Sequence, residues 1–163
     1  MHLETFNHIK YREEIIDLMV EYFREMHGDD YIGSRLICNR MLQEMSKQNK
    51  TIYYVLDNEH RPIGFIVVYV NDQYGMTTPT VVNDYMYVLP EYRSGKAVML
   101  LYTMIGMICE DLELDCVSST FTTSANTTNN VLVGGEPIMV TNLFKRSKFQ
   151  NRLNKYKKRI LNG

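Results

Sequence analysis

The sequence predicts an α+β fold, in which a central mixed, mostly antiparallel sheet has helices on both faces and is followed by a basic C-terminal helix. Three observations predict it: two amphipathic helical segments follow a short strand, three β-rich segments then run consecutively, and one long apolar helix separates the third of these from a fourth. Consecutive strands joined by turns pair antiparallel, whereas a strand–helix–strand unit adds a parallel pair.

The first elements are defined by their apolar spacing. The segment HLETF predicts a short strand. A helix follows from Tyr11 to Met26, because apolar residues recur there at intervals of three and four, and His27 with Gly28 predicts its end. Ser34 predicts the N-cap of a second helix. The apolar residues of that second helix are Leu36, Ile37, Met41 and Met45.

The central elements are rich in β-branched and aromatic residues. Residues 51–57, TIYYVLD, and residues 63–70, IGFIVVYV, flank the turn signal NEHRP and therefore predict a hairpin. Residues 80–88, TVVNDYMYV, predict a third strand, and a buried helix follows from about Gly95 to Leu112. Beyond it, LDCVSSTF predicts a strand, TTSANTTNN a polar loop and PIMVTNLF one final strand.

Composition excludes several classes of protein. The 163 residues, 45% hydrophobic and 23% charged, are typical of one soluble globular domain. No apolar run approaches the roughly 20 residues that span a bilayer, so we expect no membrane partner. The three cysteines form no CxxC motif and the four histidines lack ligand spacing. These patterns favour a reducing, cytoplasmic compartment and predict neither a disulfide framework nor a metal site.

Charge is divided unevenly along the chain. Residues 1–136 hold 10 Lys/Arg and 19 Asp/Glu, a net charge of −9, whereas residues 137–163 hold 8 Lys/Arg and no acid, a net charge of +8. The tail predicts a basic helix with one apolar stripe of Phe149, Leu153, Tyr156 and Ile160. Residues 145–159 could dock an acidic protein, including a second copy of the chain, or contact nucleic acid. Alternatively, the stripe simply covers the helix's own domain.

The stretch YVLPEYRSGKAVMLLY, residues 87–102, joins the third strand to the long helix. A helix N-terminus presents unpaired backbone N–H groups and partial positive charge, which together favour phosphate. Here Gly95 allows close approach of a ligand, Arg93 and Lys96 add positive charge, and no acid follows until Glu110. The stretch therefore indicates a phosphate or pyrophosphate site. A plain loop with a solvated Arg and Lys is the alternative interpretation.

The segment VNDYMYVLPEYRSGKAVMLLY resembles the acetyl-CoA-binding segment of the GCN5-related N-acetyltransferase (GNAT) superfamily. In that family a strand ending in valine, then x-P-x-Y-R, leads into a glycine-rich pyrophosphate loop and a helix. The predicted order of elements also fits the family, and the ending VGGEPIMVTNLFKR resembles compact, phage-type members. The two glycine positions of the family loop, counted from Arg93, hold Lys96 and Val98 in this chain.

The resemblance implies acetyl-CoA as co-substrate and no metal. It implies that the main chain of Met86 and Val88 pairs with the pantetheine arm. Asn126 and Asn130 of the polar loop would also contact pantetheine, although either could be a solvated loop residue. The residues implied at the pyrophosphate are Arg93, Ser94, Gly95, Lys96, Ala97 and Val98.

The resemblance also implies a general base. The family often places a glutamate, acting through water, four residues before the valine that ends the strand, and Asp84 holds that position before Val88. In a regular strand Asp84 shares one face with Met86 and Val88. Asp84 could instead hydrogen-bond a turn. Where the family often has a tyrosine that acts as general acid, this chain has Asn130, so the sequence assigns no general acid.

These expectations combine into one predicted function. Residues 1–145 form an acetyltransferase-like domain and residues 146–163 a basic tail, and the protein moves acetyl from acetyl-CoA to an amine of a small molecule or protein. Residues 27–35 shape the acceptor pocket, where Asp29 and Asp30 either favour a cationic amine or cap the second helix. The rival prediction is a catalytically inactive GNAT-fold binding or structural protein, such as a phage virion component, that docks through its basic tail. The location would then be the host cytoplasm or the virion.

Overall fold

The computed structural model describes residues 1–5, 10–27, 35–48, 50–71, 78–93, 95–119, 136–138, 141–144 and 146–160. Within these residues seven strands form one mixed sheet in the order β1-β2-β3-β4-β5-β7-β6. The strands are β1 His2–Thr5, β2 Thr51–Leu56, β3 Pro62–Asn71, β4 Thr80–Val88, β5 Cys116–Ser119, β6 Glu136–Ile138 and β7 Thr141–Phe144. The helices are α1 Arg12–His27, α2 Arg35–Lys47, α3 Lys96–Leu112 and α4 Arg146–Ile160.

The predicted fold class is confirmed. Strand β4 pairs parallel with β5, and every other described pair of neighbouring strands is antiparallel. Successive strand residues point to opposite faces, so the sheet carries two cores. One core, with Ile15, Leu42 and Phe65, lies under α1 and α2. The other, with Val81 and Leu101, lies under α3 and α4.

The prediction of a single final strand is wrong. The segment PIMVTNLF forms two short strands, β6 and β7, that pair antiparallel with Ile138 opposite Thr141. The chain therefore reverses between these two residues. The two residues between them in the sequence, Met139 and Val140, are not the Gly, Asn or Asp that mark a tight turn, and so the reversal is not predictable from sequence. The predicted cap residue Ser34 lies outside the described residues.

The basic helix α4 packs on its own domain. Phe149 and Leu153 are each 1% exposed and belong to the core under α3. Phe149 lies edge-on to the Tyr102 ring of α3. Leu153 meets α3 at Gly106, where an added Cβ would lie 2.6 Å from Leu153 Cδ1, so the missing side chain lets the helices approach closely. The first turn of α4 is also tied to the start of β5, since Arg146 N donates to Asp115 Oδ1 at 2.9 Å. Half of the predicted apolar stripe is thus buried, and the side chains of Tyr156 and Ile160 lie outside the described residues.

Helices α1 and α2 are joined by polar contacts as well as by their core. Arg35, the first residue of α2, pairs with Glu13 and Asp17 of α1. Arg12 donates to Asn39 Oδ1 across the same pair of helices. These contacts hold the first half of α2 against α1.

Candidate active site

Strands β4 and β5 separate part of the way along the sheet. Three residue pairs join them, and the last is Asn83 opposite Ser118. Beyond Asn83, β4 continues to Val88 and pairs only with β3 among the described residues. The second half of β4 therefore forms one wall of a cleft in the sheet.

The main chain of Met86 and Val88 faces this cleft. Leu89 N donates to Ile63 O of β3 at 2.9 Å, which fixes the direction of the backbone groups at the end of β4. Because these directions alternate along an antiparallel strand, the N–H and C=O groups of Val88 and Met86 point away from β3. This open edge has the geometry that an added extended chain needs.

A β-bulge lies where the strands separate. Asn83 is opposite Val68 and Tyr85 is opposite Val67, so Asp84 is the extra residue in β4. The bulge breaks the alternation of faces, and the prediction that Asp84 shares a face with Met86 and Val88 is therefore wrong. Met86 packs against the core under α3. The carboxylate of Asp84 instead acts on the α1 side of the sheet, where its charge contributes to the raised pKa of Tyr22, which is due first to burial.

Asp84 is paired with Lys50, the residue that precedes β2. Lys50 Nζ donates to Asp84 Oδ2 at 2.8 Å, and the two side chains are only 18% and 17% exposed. The same ammonium lies 4.6 Å from the centroid of the Tyr69 ring, a cation–π contact. The predicted base is thus an ion-paired carboxylate whose access to solvent is limited.

The N-terminus of α3 is open at the other end of the cleft. Gly95 is its N-cap, no side chain caps the helix, and its first turn holds no acid. A Cβ built on Gly95 would meet nothing within 4 Å. Lys96 is exposed, Ala97 is buried, and Val98 packs half-buried against the core under α3. The first turn of α3 therefore presents backbone N–H groups that no side chain caps, beginning at a residue with room beside it, an arrangement that favours a bound anion.

Arg93 is engaged by protein groups. Its Nε donates to the main-chain oxygen of Val88 at 2.8 Å, and its guanidinium pairs with both carboxylate oxygens of Glu25 in α1. It also lies 5.3 Å from the centroid of the Tyr87 ring. The hydrogen bond with Glu25 is the largest cause of the raised pKa of Arg93. Arg93 thus fixes the end of β4 to α1.

An aromatic cluster supports the free half of β4 from the α1 side. Tyr22 of α1 lies edge-on to Tyr85 and Tyr87 of β4, with ring centroids 5.7 Å and 6.0 Å apart, and to Phe65 of β3. Burial raises the pKa of both Tyr22 and Tyr87. Tyr22 and Tyr87 therefore stay protonated near neutral pH. Their rings pack against each other.

Asn83 carries an unsatisfied acceptor at the closed end of the cleft. It is 3% exposed, and its Nδ2 donates to Ser118 Oγ at 3.1 Å. Its Oδ1 has no hydrogen-bond partner among the described residues. A buried acceptor without a donor costs about 1–3 kcal/mol, so this atom would gain from a donor supplied by a ligand.

Several predicted residues lie outside the described residues. They include Ser94, Asn126 and Asn130 of the predicted cofactor site and Asp29 and Asp30 of the predicted acceptor pocket. Over the part of the chain that is described, no group of three or more His, Cys, Asp and Glu side chains is arranged to hold a metal ion. No helix in that part has the length and apolar character to cross a membrane.

The sequence did not reveal Lys50, Glu25 or Asn83 as part of this region. Lys50 stands in a polar linker, and its contact with Asp84 crosses 34 residues. Glu25 and Arg93 are 68 residues apart. Asn83 gave a weak signal, since an amide inside a β-branched strand needs a buried partner.

Solved structures of acetyltransferases share this architecture. A probable acetyltransferase superimposes with a TM-score of 0.70 at 16% identity, covering 85% of this chain and 92% of that one. A PaiA N-acetyltransferase from Thermoplasma acidophilum, in complex with coenzyme A, gives 0.64 at 16% identity over 88% and 97% of the two chains. An aminoglycoside 6'-N-acetyltransferase from Acinetobacter baumannii gives 0.66 at 12% identity over 83% and 90%. A search of curated proteins found no match.

The fold is thus that of the solved acetyltransferases. The model of the acetyltransferase (GNAT) family matches residues 12–130, which is most of the chain. The chain belongs to the GNAT family.

Proposed function

We propose that this protein is an acetyl-CoA-dependent N-acetyltransferase that acts on an amine. The observation that carries the proposal is the combination, on one strand–helix unit, of an open β4 edge and an uncapped α3 N-terminus. The open edge begins after Asn83, and the helix begins at Lys96. An extended arm with an anionic end is the ligand that this combination suits. Family membership supports acetyl transfer as the reaction.

Acetyl-CoA would bind along this unit. The pantetheine arm pairs with the main chain of Met86 and with the N–H of Val88, whose carbonyl already accepts a hydrogen bond from Arg93. The Oδ1 of Asn83 offers a further acceptor for an amide N–H of the arm. The pyrophosphate sits at the first turn of α3. Further contacts with the cofactor would come from Ser94, Asn126 and Asn130. The residues of that first turn are Gly95, Lys96, Ala97 and Val98.

Asp84 serves as the general base. The acceptor enters as an ammonium, and a proton moves from its nitrogen to the Asp84 carboxylate, directly or through water. The neutral nitrogen then bonds to the thioester carbon and the carbon–sulfur bond breaks. The second proton, which the nitrogen loses on becoming an amide, passes to the departing sulfur directly or through water, so coenzyme A leaves as the thiol. The proton held by Asp84 returns to solvent, so the next turnover begins with an ionised carboxylate.

A thermal-shift titration with acetyl-CoA tests the binding step. At about 1 mM ligand even an affinity of about 10 μM adds about 2.7 kcal/mol of stability. Release of free coenzyme A thiol in the presence of a panel of amines then tests the transfer. Absence of stabilisation would contradict the proposal and favour the rival function, a GNAT fold used only for binding other partners.

Substitution of the base separates binding from catalysis. Asp84→Asn keeps the shape of the side chain but removes its proton affinity, so we expect turnover to fall about 100-fold or more while acetyl-CoA affinity changes little. Asp17→Asn is the control, because Asp17 lies on the exposed side of α1. Unchanged turnover in Asp84→Asn would rule out the assignment of the base.

A further inference from the structure

The Lys50–Asp84 ion pair differs from the surface pairs of the molecule. Its two side chains are 18% and 17% exposed, whereas those of the Lys47–Glu44 pair on α2 are 70% and 56% exposed. Exposed pairs are weak because water and salt screen them, while a partly buried charge that loses its partner is strongly destabilised. The charges of Lys50 and Asp84 therefore depend on each other.

The position of Lys50 is fixed by the protein. Its main-chain N–H donates to Met45 O at the end of α2, at 3.1 Å. Its ammonium is held between the Asp84 carboxylate and the face of the Tyr69 ring. Asp84 is the bulge residue directly after the last β4–β5 pair, so this fixed positive charge lies where the cleft opens.

An acceptor amine that bonds to Asp84 Oδ2 must take the place of the Lys50 ammonium, which occupies that oxygen. If the acceptor is purely cationic, Lys50 is left partly buried without a counter-ion, and binding is opposed. If the acceptor also carries an anion beside its amine, that anion can pair with Lys50 while the ammonium pairs with Asp84. The site then exchanges one ion pair for two, and both protein charges remain satisfied.

We infer that the acceptor is a zwitterion that carries a carboxylate next to its amine, as a free α-amino acid does. This inference rests on the proposed acetyl transfer and names its acceptor class. In an α-amino acid the two charged groups are attached to the same carbon, so they can meet two protein charges that lie side by side, since the Lys50 nitrogen and the Asp84 oxygen are 2.8 Å apart before the acceptor comes between them. Lys50 and Asp84 together carry no net charge, so polyamines, which lack an anion, are disfavoured as acceptors. Aromatic rings, including Tyr69 and Tyr85, offer apolar contact for the acceptor's side chain.

The test compares three forms of each acceptor. A panel of amino acids is assayed beside their carboxamides and the corresponding decarboxylated amines, and kcat/KM is measured by thiol release. Because one charge-assisted hydrogen bond contributes a factor of roughly 10 to 100, we expect the acid to exceed the amide and the amine by at least about tenfold. Calorimetric titration of the three forms into the protein without acetyl-CoA should give the same order of affinity.

Variants of Lys50 identify the group that reads the carboxylate. Lys50→Met should abolish the preference for the acid, while Lys50→Arg, which keeps a cation at that place, should retain it. Lys47→Met is the matched control and should leave the preference unchanged, since its pair is on the surface.

The inference would be overturned if the decarboxylated amines were used as well as the acids or better, if the preference for the acid survived in Lys50→Met, or if no carboxylate-bearing amine were turned over. Acetylation of Lys50 itself, detected by peptide mass, would also overturn it, because Lys50 would then be an acceptor rather than a binding group. The failure of the proposed function is distinguishable, because acetyl-CoA would then give no thermal stabilisation in any variant.

Discussion

Gly64 of β3 lies directly opposite Val88, at the end of the cleft wall, and its substitution by alanine tests how tightly that wall is held. A Cβ built on Gly64 would lie 2.7 Å from Tyr87 O, 2.9 Å from Val88 Cγ2 and 3.2 Å from Val88 Cα. Two of these three atoms belong to the β4 main chain. Since ordinary contact begins at 3.4 Å, the closest of them must move by about 0.7 Å.

The expected loss of stability follows from two opposing effects. Forcing a methyl group into a filled site costs about 1–3 kcal/mol. Removing the conformational freedom of glycine in a strand returns about 0.5–1 kcal/mol. Because main-chain atoms of β4 must move, the cost lies in the upper part of its range, about 2–3 kcal/mol, and we expect the free energy of unfolding of Gly64→Ala to fall by about 1–2.5 kcal/mol. The affinity for acetyl-CoA should weaken as well, because the displaced main chain includes Val88.

Urea unfolding and an acetyl-CoA titration measure the two effects, and Gly106→Ala is the matched control. At Gly106 an added Cβ would lie 2.6 Å from Leu153 Cδ1, in the buried contact of α3 with α4 rather than against the β4 main chain. Gly106→Ala should therefore also lower the free energy of unfolding, by a loss that the gain of up to about 1 kcal/mol for alanine over glycine in a helix reduces, but it should leave the affinity for acetyl-CoA unaltered. The reasoning is refuted if Gly64→Ala keeps wild-type stability and affinity, or if Gly106→Ala loses as much affinity.

Three further predictions concern the remaining contacts. Arg93→Met removes both the hydrogen bond to Val88 O and the ion pair with Glu25, whereas Glu25→Gln removes only the charge of the pair, so Arg93→Met should weaken acetyl-CoA binding more, but by less than about tenfold relative to Glu25→Gln in calorimetry; a larger difference would contradict a purely structural role for Arg93. Leu153→Ala should lower the free energy of unfolding by about 2–5 kcal/mol in urea, and a loss below about 1 kcal/mol would contradict the packing of α4 on α3. The main-chain N–H of Arg61 and further hydrogen bonds lower the pKa of Asp57 below its ordinary value of 3.8. The ionised Asp57 carboxylate therefore stabilises the fold above that pH, and this stabilisation is lost as the pH falls. Asp57→Asn should thus be less stable than wild type at pH 7, unlike Glu59→Gln, with a difference that narrows in acid, and a pH-independent difference would contradict this.

Local patterns in the sequence sufficed for most of the fold. The β-branched run of β3 and the apolar spacing of α1 each depend on residues within one element, and both elements were predicted to within a few residues. The hairpin of β6 and β7 was missed because Met139 and Val140 lack turn residues. The burial of Phe149 and Leu153 was open between two interpretations, since a stripe shows that a helix face is apolar but not what covers it.

The candidate site was predicted only in its main-chain part. The open start of α3 follows from a short stretch around Gly95, and such a stretch is legible in sequence. The bulge at Asp84 is not, because it arises from the register between β3 and β4 rather than from either strand alone. The partners Lys50 and Glu25 come from distant segments, and pairing of charged side chains over such separations leaves no local pattern.

These distant partners explain how β4 can form a cleft wall without β5. A strand with one unpaired edge has lost half of its ladder, and its free half would be held by β3 alone. Here the bulge end is tied to Lys50 and the far end to Glu25 through Arg93. Between them Tyr22 packs on the rings of Tyr85 and Tyr87. The ties to Lys50 and Glu25 and the aromatic packing come from the α1–α2 side, although Arg93 uses the cleft-facing carbonyl of Val88 for its tie. The acetyl-CoA arm proposed above would therefore pair with the Met86 main chain and the Val88 N–H of a strand that the protein already holds in place.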